Sequence, residues 1–178
     1  MVLTARLIKK DHPDARVVFI GPCVAKKQEA AEGKEGTADF ALTYGEIRAI
    51  LKAKNVELQP EENQEQQASV YGKRFANAGG VTKAVLRCME EMGQPTDKLQ
   101  VMECNGAADC KKALMLLKMG RLPADFIEGM ACEGGCVGGP SSHMAIAGFQ
   151  KERNAQIAQA DDRGIHENLA HYDSVVMH

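Results

Sequence analysis

Two short segments of this sequence combine residue types and spacings that suit an inorganic cofactor. The first is Gly21-Pro22-Cys23-Val24-Ala25-Lys26-Lys27-Gln28-Glu29. A thiolate is both nucleophile and metal ligand, and a lysine three residues on can favour that thiolate or hydrogen-bond an anionic ligand. Taken alone, the segment reads equally well as a core cysteine beside solvated lysines. The second is Gly129-Met130-Ala131-Cys132-Glu133-Gly134-Gly135-Cys136-Val137-Gly138-Gly139-Pro140. Glycine reaches φ > 0 and lets backbone approach an object too large for side chains to clear, as an inorganic cluster would be. Cysteines at i and i+4 can share one face of a helical turn. Zinc competes for such thiols, but its usual paired Cys-x-x-Cys or Cys/His clusters are absent, so iron and sulfur fit better. A redox disulfide or a glycine-rich packing turn are the other readings of this spacing.

The remaining cysteines carry weaker signals. In Glu103-Cys104-Asn105-Gly106-Ala107-Ala108-Asp109-Cys110, Cys104 ends an expected strand and Cys110 falls in the first turn of an expected helix, whose positive end lowers a thiol pKa. An accessory cluster, a redox pair and two inert cysteines are all open, with the inert reading favoured because cysteine is so often a buried small apolar residue. Cys88, between Leu86 and Met89, is expected in the core. The histidines His12, His143, His166, His171 and His178 form no metal-like pair on a helix face, and surface roles are expected for them.

The elements that must position these residues can be read from periodicity. Val2 to Lys10 has helical spacing and ends in the turn chemistry of Asp11-His12-Pro13-Asp14. Val17-Val18-Phe19-Ile20, closed by Gly21-Pro22, predicts a buried parallel strand that delivers Cys23 at its carboxyl end, where ligands of open α/β sheets gather. Helices are predicted over Tyr44 to Ala53, Gly80 to Met92 and Asp109 to Met119, and strands over Leu99 to Glu103 and Asp125 to Glu128. Strands alternating with helices predict an α/β fold, a small mostly parallel sheet flanked by helices. Glu61 to Gln67 is a polar, aperiodic run that reads as a solvated loop and a weak internal boundary, and Phe149 to His178 is polar with one expected helix.

Bulk properties narrow the function classes. At 178 residues and 44% hydrophobic content, the chain fits one ordinary soluble domain and can bury a real core. A net charge of -2 with 4% aromatics leaves little basis for a nucleic-acid surface, where a basic stripe interleaved with aromatics is expected. No apolar run approaches the roughly 20 residues of a membrane span, and the charged start is no secretory signal, so a cytoplasmic location is expected. Six cysteines in a chain that needs no staples point to metal or redox chemistry rather than disulfides.

Together the two cysteine segments resemble the [FeFe] (iron-only) hydrogenases. Pro22-Cys23-x-x-Lys26-x-x-Glu29 is similar to the second of that family's three signature motifs, and Met130-Ala131-Cys132-x-x-Gly135-Cys136 to most of the third. Between them, Ala78-Gly79-Gly80-Val81-x-x-Ala84-Val85-Leu86-Arg87 resembles the family's Thr-Gly-Gly-Val helix start. The resemblance runs from Val2 to Pro140, leaving 141–178 as a polar, partly helical C-terminal extension. It implies one lobe and part of the second of a hydrogenase catalytic domain. It also implies a [4Fe-4S] cluster joined to a diiron subcluster (together the H-cluster). Cys23 and Cys132 would bind the [4Fe-4S] cluster, and Cys136 would bind it and bridge to the diiron unit. Lys26 would hydrogen-bond a cyanide, Met130 would pack beside the diiron unit, and Glu29 would support the turn and, electrostatically, Lys26, a plain surface carboxylate being the alternative. The implied reaction is reversible oxidation of H2 to protons and electrons, with an electron carrier such as ferredoxin as partner.

The family's first motif, Thr-Ser-Cys-Cys-Pro, has no counterpart here, so the fourth cluster ligand and the proton-relaying cysteine beside it are missing. The expectation is a fragment, inactive alone, that needs an N-terminal part of the same protein. Gly21 stands where efficient members have a methionine, and Val137-Gly138-Gly139-Pro140 is shorter than the usual Gly-Gly-Gly-Gln-Pro ending. Both departures resemble branches thought to sense hydrogen. A hydrogen-sensing protein of low turnover, and an iron–sulfur assembly relative without a diiron site, are the alternative functions.

Overall fold

The apolar run after Arg16 becomes a short strand in the computed structural model, which describes residues 1–33, 36–59, 68–143 and 145–170. Two units emerge, Met1–Glu62 with Gly139–His143, and Asn63–Gly138 with Met144–His178. The division falls in the polar run Glu61 to Gln67, which lies outside the described residues apart from this boundary.

The first unit runs α1 (Val2–Asp11), β1 (Val18–Ile20), α2 (Ala25–Ala31), β2 (Phe40–Leu42), α3 (Tyr44–Ala53). β1 and β2 pair in parallel, Val18 opposite Phe40 and Ile20 opposite Leu42. Asp39 fixes this register. Its carboxylate accepts the Val17 N–H at 2.8 Å and pairs with Lys9 of α1 at 3.1 Å. The Val17 N–H, then Lys9, hold the Asp39 carboxyl down at about 2. α3 starts on a reciprocal capping box: Thr43 Oγ1 accepts the Glu46 N–H and Glu46 accepts the Thr43 N–H at 2.8 Å.

The second unit contains α4 (Val70–Arg74), α5 (Gly80–Glu91), β3 (Val101–Asn105), α6 (Ala107–Lys118), β4 (Phe126–Met130), a 3-10 turn (Gly135–Gly138), α7 (Ile146–Ala158) and α8 (Ile165–Leu169). β3, α6 and β4 form a parallel crossover with Val101 opposite Phe126 and Asn105 opposite Met130. Two carboxylates staple this unit. Glu128, buried within β4, accepts the N–H groups of Gly79 (3.0 Å) and Thr82 (2.8 Å) and the Thr82 hydroxyl (2.6 Å), capping α5 from a distant strand. Glu91, at the end of α5, accepts the N–H groups of Ile165 (2.8 Å) and His166 (2.9 Å) and so caps α8.

The α/β class is as the sequence predicts, but the single sheet is two two-stranded parallel sheets, β1-β2 and β3-β4. The partner of β1 is β2, whose three residues are too short to show any alternation. The C-terminal stretch holds two helices where one is expected, because Asp161 to Gly164 interrupts it. The expectation of a substantial apolar core is corrected. Among the described residues, the buried apolar side chains are Ala5, Ala38, Ala84, Cys104, Ala113, Val137 and Ile157, mostly small. Larger ones stay open, including Val18, Ile20 and Phe40 on the first sheet and Leu114, Met115 and Leu117 on α6. No helix among the described residues is long and apolar enough to cross a membrane.

Candidate metal centre

Met130, the last residue of β4, hands the chain to the turn that carries two of the candidate ligands. The exit is gripped from the neighbouring β3–α6 connection. Gly106 N–H donates to the Met130 carbonyl at 2.7 Å, and Asn105 Oδ1 accepts the Gly134 N–H at 2.7 Å. The turn itself closes when Gly135 N–H donates to the Cys132 carbonyl at 3.0 Å. Gly134 and Gly135 both take left-handed conformations, φ +79° and +80°. Cys132 is half-buried, and Cys136, within the 3-10 turn, is exposed. The two cysteines therefore do not share a regular helical turn: the reversed backbone at Gly134 and Gly135 lies between them.

At two positions the glycines of this segment follow the alternative reading of a glycine-rich packing turn. A Cβ on Gly135 would stand 2.6 Å from the Ala76 carbonyl oxygen and 2.7 Å from the Ala78 nitrogen, and one on Gly138 would stand 1.9 Å from the Glu133 carbonyl oxygen. Backbone packed on backbone, not room for a cluster, is what requires glycine at these two positions. The surface that Gly135 meets is the connection into α5, which Glu128 anchors. Glu128 and Asn105 thus position the cysteine turn, and sequence reasoning passed over both. The available signal was a carboxylate inside the apolar run Phe126-Ile127-Glu128, which needs buried donors to be tolerated.

In the first unit, Cys23 follows β1 as the sequence predicts. Gly21 N–H continues the ladder to the Leu42 carbonyl at 3.1 Å, and Cys23 sits half-buried between that point and α2. Gly21 is buried against the Phe19 ring, whose Cζ lies 2.7 Å from where a Cβ would be. Lys26, in the first turn of α2 and one-third exposed, forms an ion pair with Glu29. Ser141, five residues beyond Cys136, donates its N–H to the carbonyl of Pro22 at 3.2 Å.

Each unit thus presents part of the candidate set: Cys23 and Lys26 in the first, Met130, Cys132 and Cys136 in the second. Within either unit, among the described residues, no three Cys, His, Asp or Glu side chains converge as a complete metal set. The donor chemistry nevertheless fits an iron–sulfur cluster: three thiols, none deeply buried, on turns rather than in packed element interiors. Cys104 is different. It is buried in β3, and burial above all, with Cys110 and Asp109 beside it, pushes its thiol up. Cys88 lines a cavity of about 360 Å³ between α4, α5 and α8. His166 is at the surface, bonded through Nδ1 to Glu91 at 2.8 Å.

The fold and these turns define an α/β protein whose candidate ligands lie beyond the carboxyl ends of parallel strands. The chain belongs to the family described as "Iron only hydrogenase large subunit, C-terminal domain", whose profile matches residues 1–140. Among characterised proteins it is 27% identical over 185 residues to the NADP-reducing hydrogenase subunit HndD of Solidesulfovibrio fructosivorans, covering 83% of this chain and 31% of that one. It superposes with a TM-score of 0.66 on a variant of the [FeFe]-hydrogenase HydA1 from Chlamydomonas reinhardtii, at 20% identity over 97% of this chain and 63% of that chain. An apo form of a further HydA1 variant gives a TM-score of 0.65 with the same identity and coverage. The chain thus spans about a third of the curated relative and less than two thirds of the solved chains. Intact proteins of this family hold an iron–sulfur H-cluster.

Proposed function

We propose that this chain supplies most of the protein environment of an H-cluster, with Cys23, Cys132 and Cys136 as thiolate ligands of a [4Fe-4S] cluster and Cys136 also bridging to a diiron subcluster. The observation that carries the reading is the pair of cysteine turns, each following a parallel strand and both within the residues 1–140 that the family's profile matches. Lys26 would present its ammonium to an anionic diatomic ligand, a charge-assisted contact. Its ion pair with Glu29 holds that ammonium near the start of α2 until such a ligand competes for it. Met130 would pack as an apolar, polarizable wall. When bound, the cluster would supply reversible cleavage of H2 and electron transfer; the protein's share is position, field and exclusion of water.

The fourth thiolate would come from an N-terminal part of the same protein, and an electron carrier such as ferredoxin would be the redox partner. Unpartnered apolar side chains on the first sheet support the need for further polypeptide, since parallel sheets are ordinarily covered on both faces. One specific observation favours a slow or hydrogen-sensing member. Phe19, not a methionine side chain, occupies the space beside Gly21, which changes the wall of the Cys23 turn.

The test is anaerobic iron and sulfide analysis with electron paramagnetic resonance on the chain joined to an N-terminal segment carrying the missing motif, before and after a synthetic diiron precursor. Hydrogen evolution that appears only with the precursor supports the proposal. A stable [4Fe-4S] signal that never gains diiron spectra or activity overturns it in favour of an assembly-type relative. Chain with Cys132→Ser or Cys136→Ser that binds iron as the wild type does would remove those residues from the ligand set.

A further inference from the structure

We propose that Cys104 and Cys110 form a dithiol–disulfide modification site, oxidised by small-molecule disulfides of the glutathione class. Two observations bring the two sulfurs together. In the β3–β4 ladder Cys104 is directly opposite Gly129, and paired residues of neighbouring strands point to the same face. Cys110 Sγ lies over that face, 3.5 Å from where a Cβ of Gly129 would be. Gly129 is what leaves room for the pair: a side chain there would compete with the Cys110 sulfur for the same space.

The two cysteines have unequal access, as an exchange reaction requires. Cys110, half-buried in the first turns of α6, is the more accessible of the two, and Cys104 is buried in β3, where that burial pushes its thiol pKa up. The Cys110 thiolate attacks one sulfur of the reagent; its S–S bond breaks, the first small thiol leaves, and a mixed disulfide remains on Cys110. Cys104 then releases its proton to solvent and attacks Cys110 Sγ, expelling the second small thiol. The protein loses two electrons and two protons, and one small-molecule disulfide is reduced to two thiols.

The segment bracketed by this bond is the one that grips the Cys132 turn. Asn105 and Gly106, which hold Gly134 and the Met130 carbonyl, lie between the two cysteines. Closing the disulfide tightens that segment and alters its hold on residues 130–134. The modification itself is independent of any metal at Cys132 and Cys136, so it is tested on the metal-free chain, where failure of the H-cluster reading has no effect.

The experiment is treatment of the full chain with one equivalent of oxidised glutathione, alkylation of remaining thiols, and peptide mapping. Both sulfurs fall on the tryptic peptide Leu99–Lys111, so the disulfide leaves that peptide unalkylated and lighter by two hydrogens than its thiol form. The thiol count of the denatured chain falls from six to four, and dithiothreitol restores it. Cys110→Ser, which leaves the buried partner in place, removes the change. A glutathione adduct that persists on Cys110 without resolving, or a disulfide between Cys132 and Cys136 with Leu99–Lys111 still fully alkylated, overturns the proposal.

Discussion

Replacing Gly135 by alanine separates two explanations of the Cys-x-x-Gly-Cys spacing. The substitution forces a Cβ into a residue at φ +80° and places it 2.6 to 2.8 Å from the backbone of residues 76–78. Left-handed backbone costs a non-glycine residue roughly 1–2 kcal/mol. Crowding against backbone that cannot swing aside adds about 1–3 kcal/mol, so the expected destabilisation is about 2–5 kcal/mol. Gly93 provides the control, with φ +69° and no atom within 4 Å of its would-be Cβ. Gly93→Ala therefore registers only the backbone part, roughly 1–2 kcal/mol. Urea unfolding of the metal-free chain, followed by circular dichroism, measures both. With a slope of about 1–3 kcal/mol per molar, Gly135→Ala should unfold earlier than Gly93→Ala by on the order of 1 M. If the two variants unfold together in the metal-free chain and Gly135→Ala is impaired only once a cluster is loaded, the packing argument is refuted and the glycine serves the cofactor.

Three further perturbations test the supports of the site. Glu128→Gln keeps the shape but removes the charge that three buried donors share. It should cost about 1.5–3 kcal/mol and speed hydrogen exchange at the Gly79 and Thr82 amides; unchanged exchange there would dismiss the capping role. The Glu91 carboxyl is lowered from 4.5 to about 2, chiefly by the His166 N–H, then by the His166 ring, the Ile165 N–H and Arg87. Because the folded value is the depressed one, its contribution is complete above pH 4.5 and is lost as pH falls through about 2. Glu91→Gln should flatten the acid limb of stability over that interval, and an unchanged limb would show that α8 is held otherwise. Thr43→Ala removes the side-chain half of the α3 capping box and should cost about 1 kcal/mol, read as a lower unfolding midpoint that Thr43→Ser restores.

What was legible in the sequence is what local chemistry dictates. α3 occupies Tyr44–Ala53 as predicted because Thr43 and Glu46 mark its start within four residues of each other. The strand that delivers Cys23 was visible as a short apolar run closed by Gly21-Pro22. α2, AKKQEAA, was not visible, since good helix formers without apolar periodicity leave no pattern to read. β3 lies two residues beyond its predicted start, because Asp125 accepts the Gln100 N–H with its side chain and donates its own N–H to the Gln100 carbonyl, so ladder pairing begins at Val101 and Phe126. The cap on α5 was illegible for a related reason: its acceptor, Glu128, is 46 residues from Thr82.

The cysteine turn shows how one motif can conceal two causes. Spacing invited two inferences, that Cys132 and Cys136 share one face of a helical turn and that the glycines make room for a cofactor; the left-handed backbone at Gly134 and Gly135 sets the first aside. The contacts assign Gly135 to the connection at residues 76–78 and Gly138 to the Glu133 carbonyl. The direction in which Cys136 leaves the turn is therefore set by packing inside the polypeptide, on a surface anchored by Glu128 and gripped by Asn105. On the proposed ligand set, a turn held by packing within the polypeptide would leave binding little backbone to order between its two thiols. Substitutions at Glu128 or Asn105, which contribute no ligand, should consequently weaken iron binding by loosening the turn, while leaving the number of thiols unchanged.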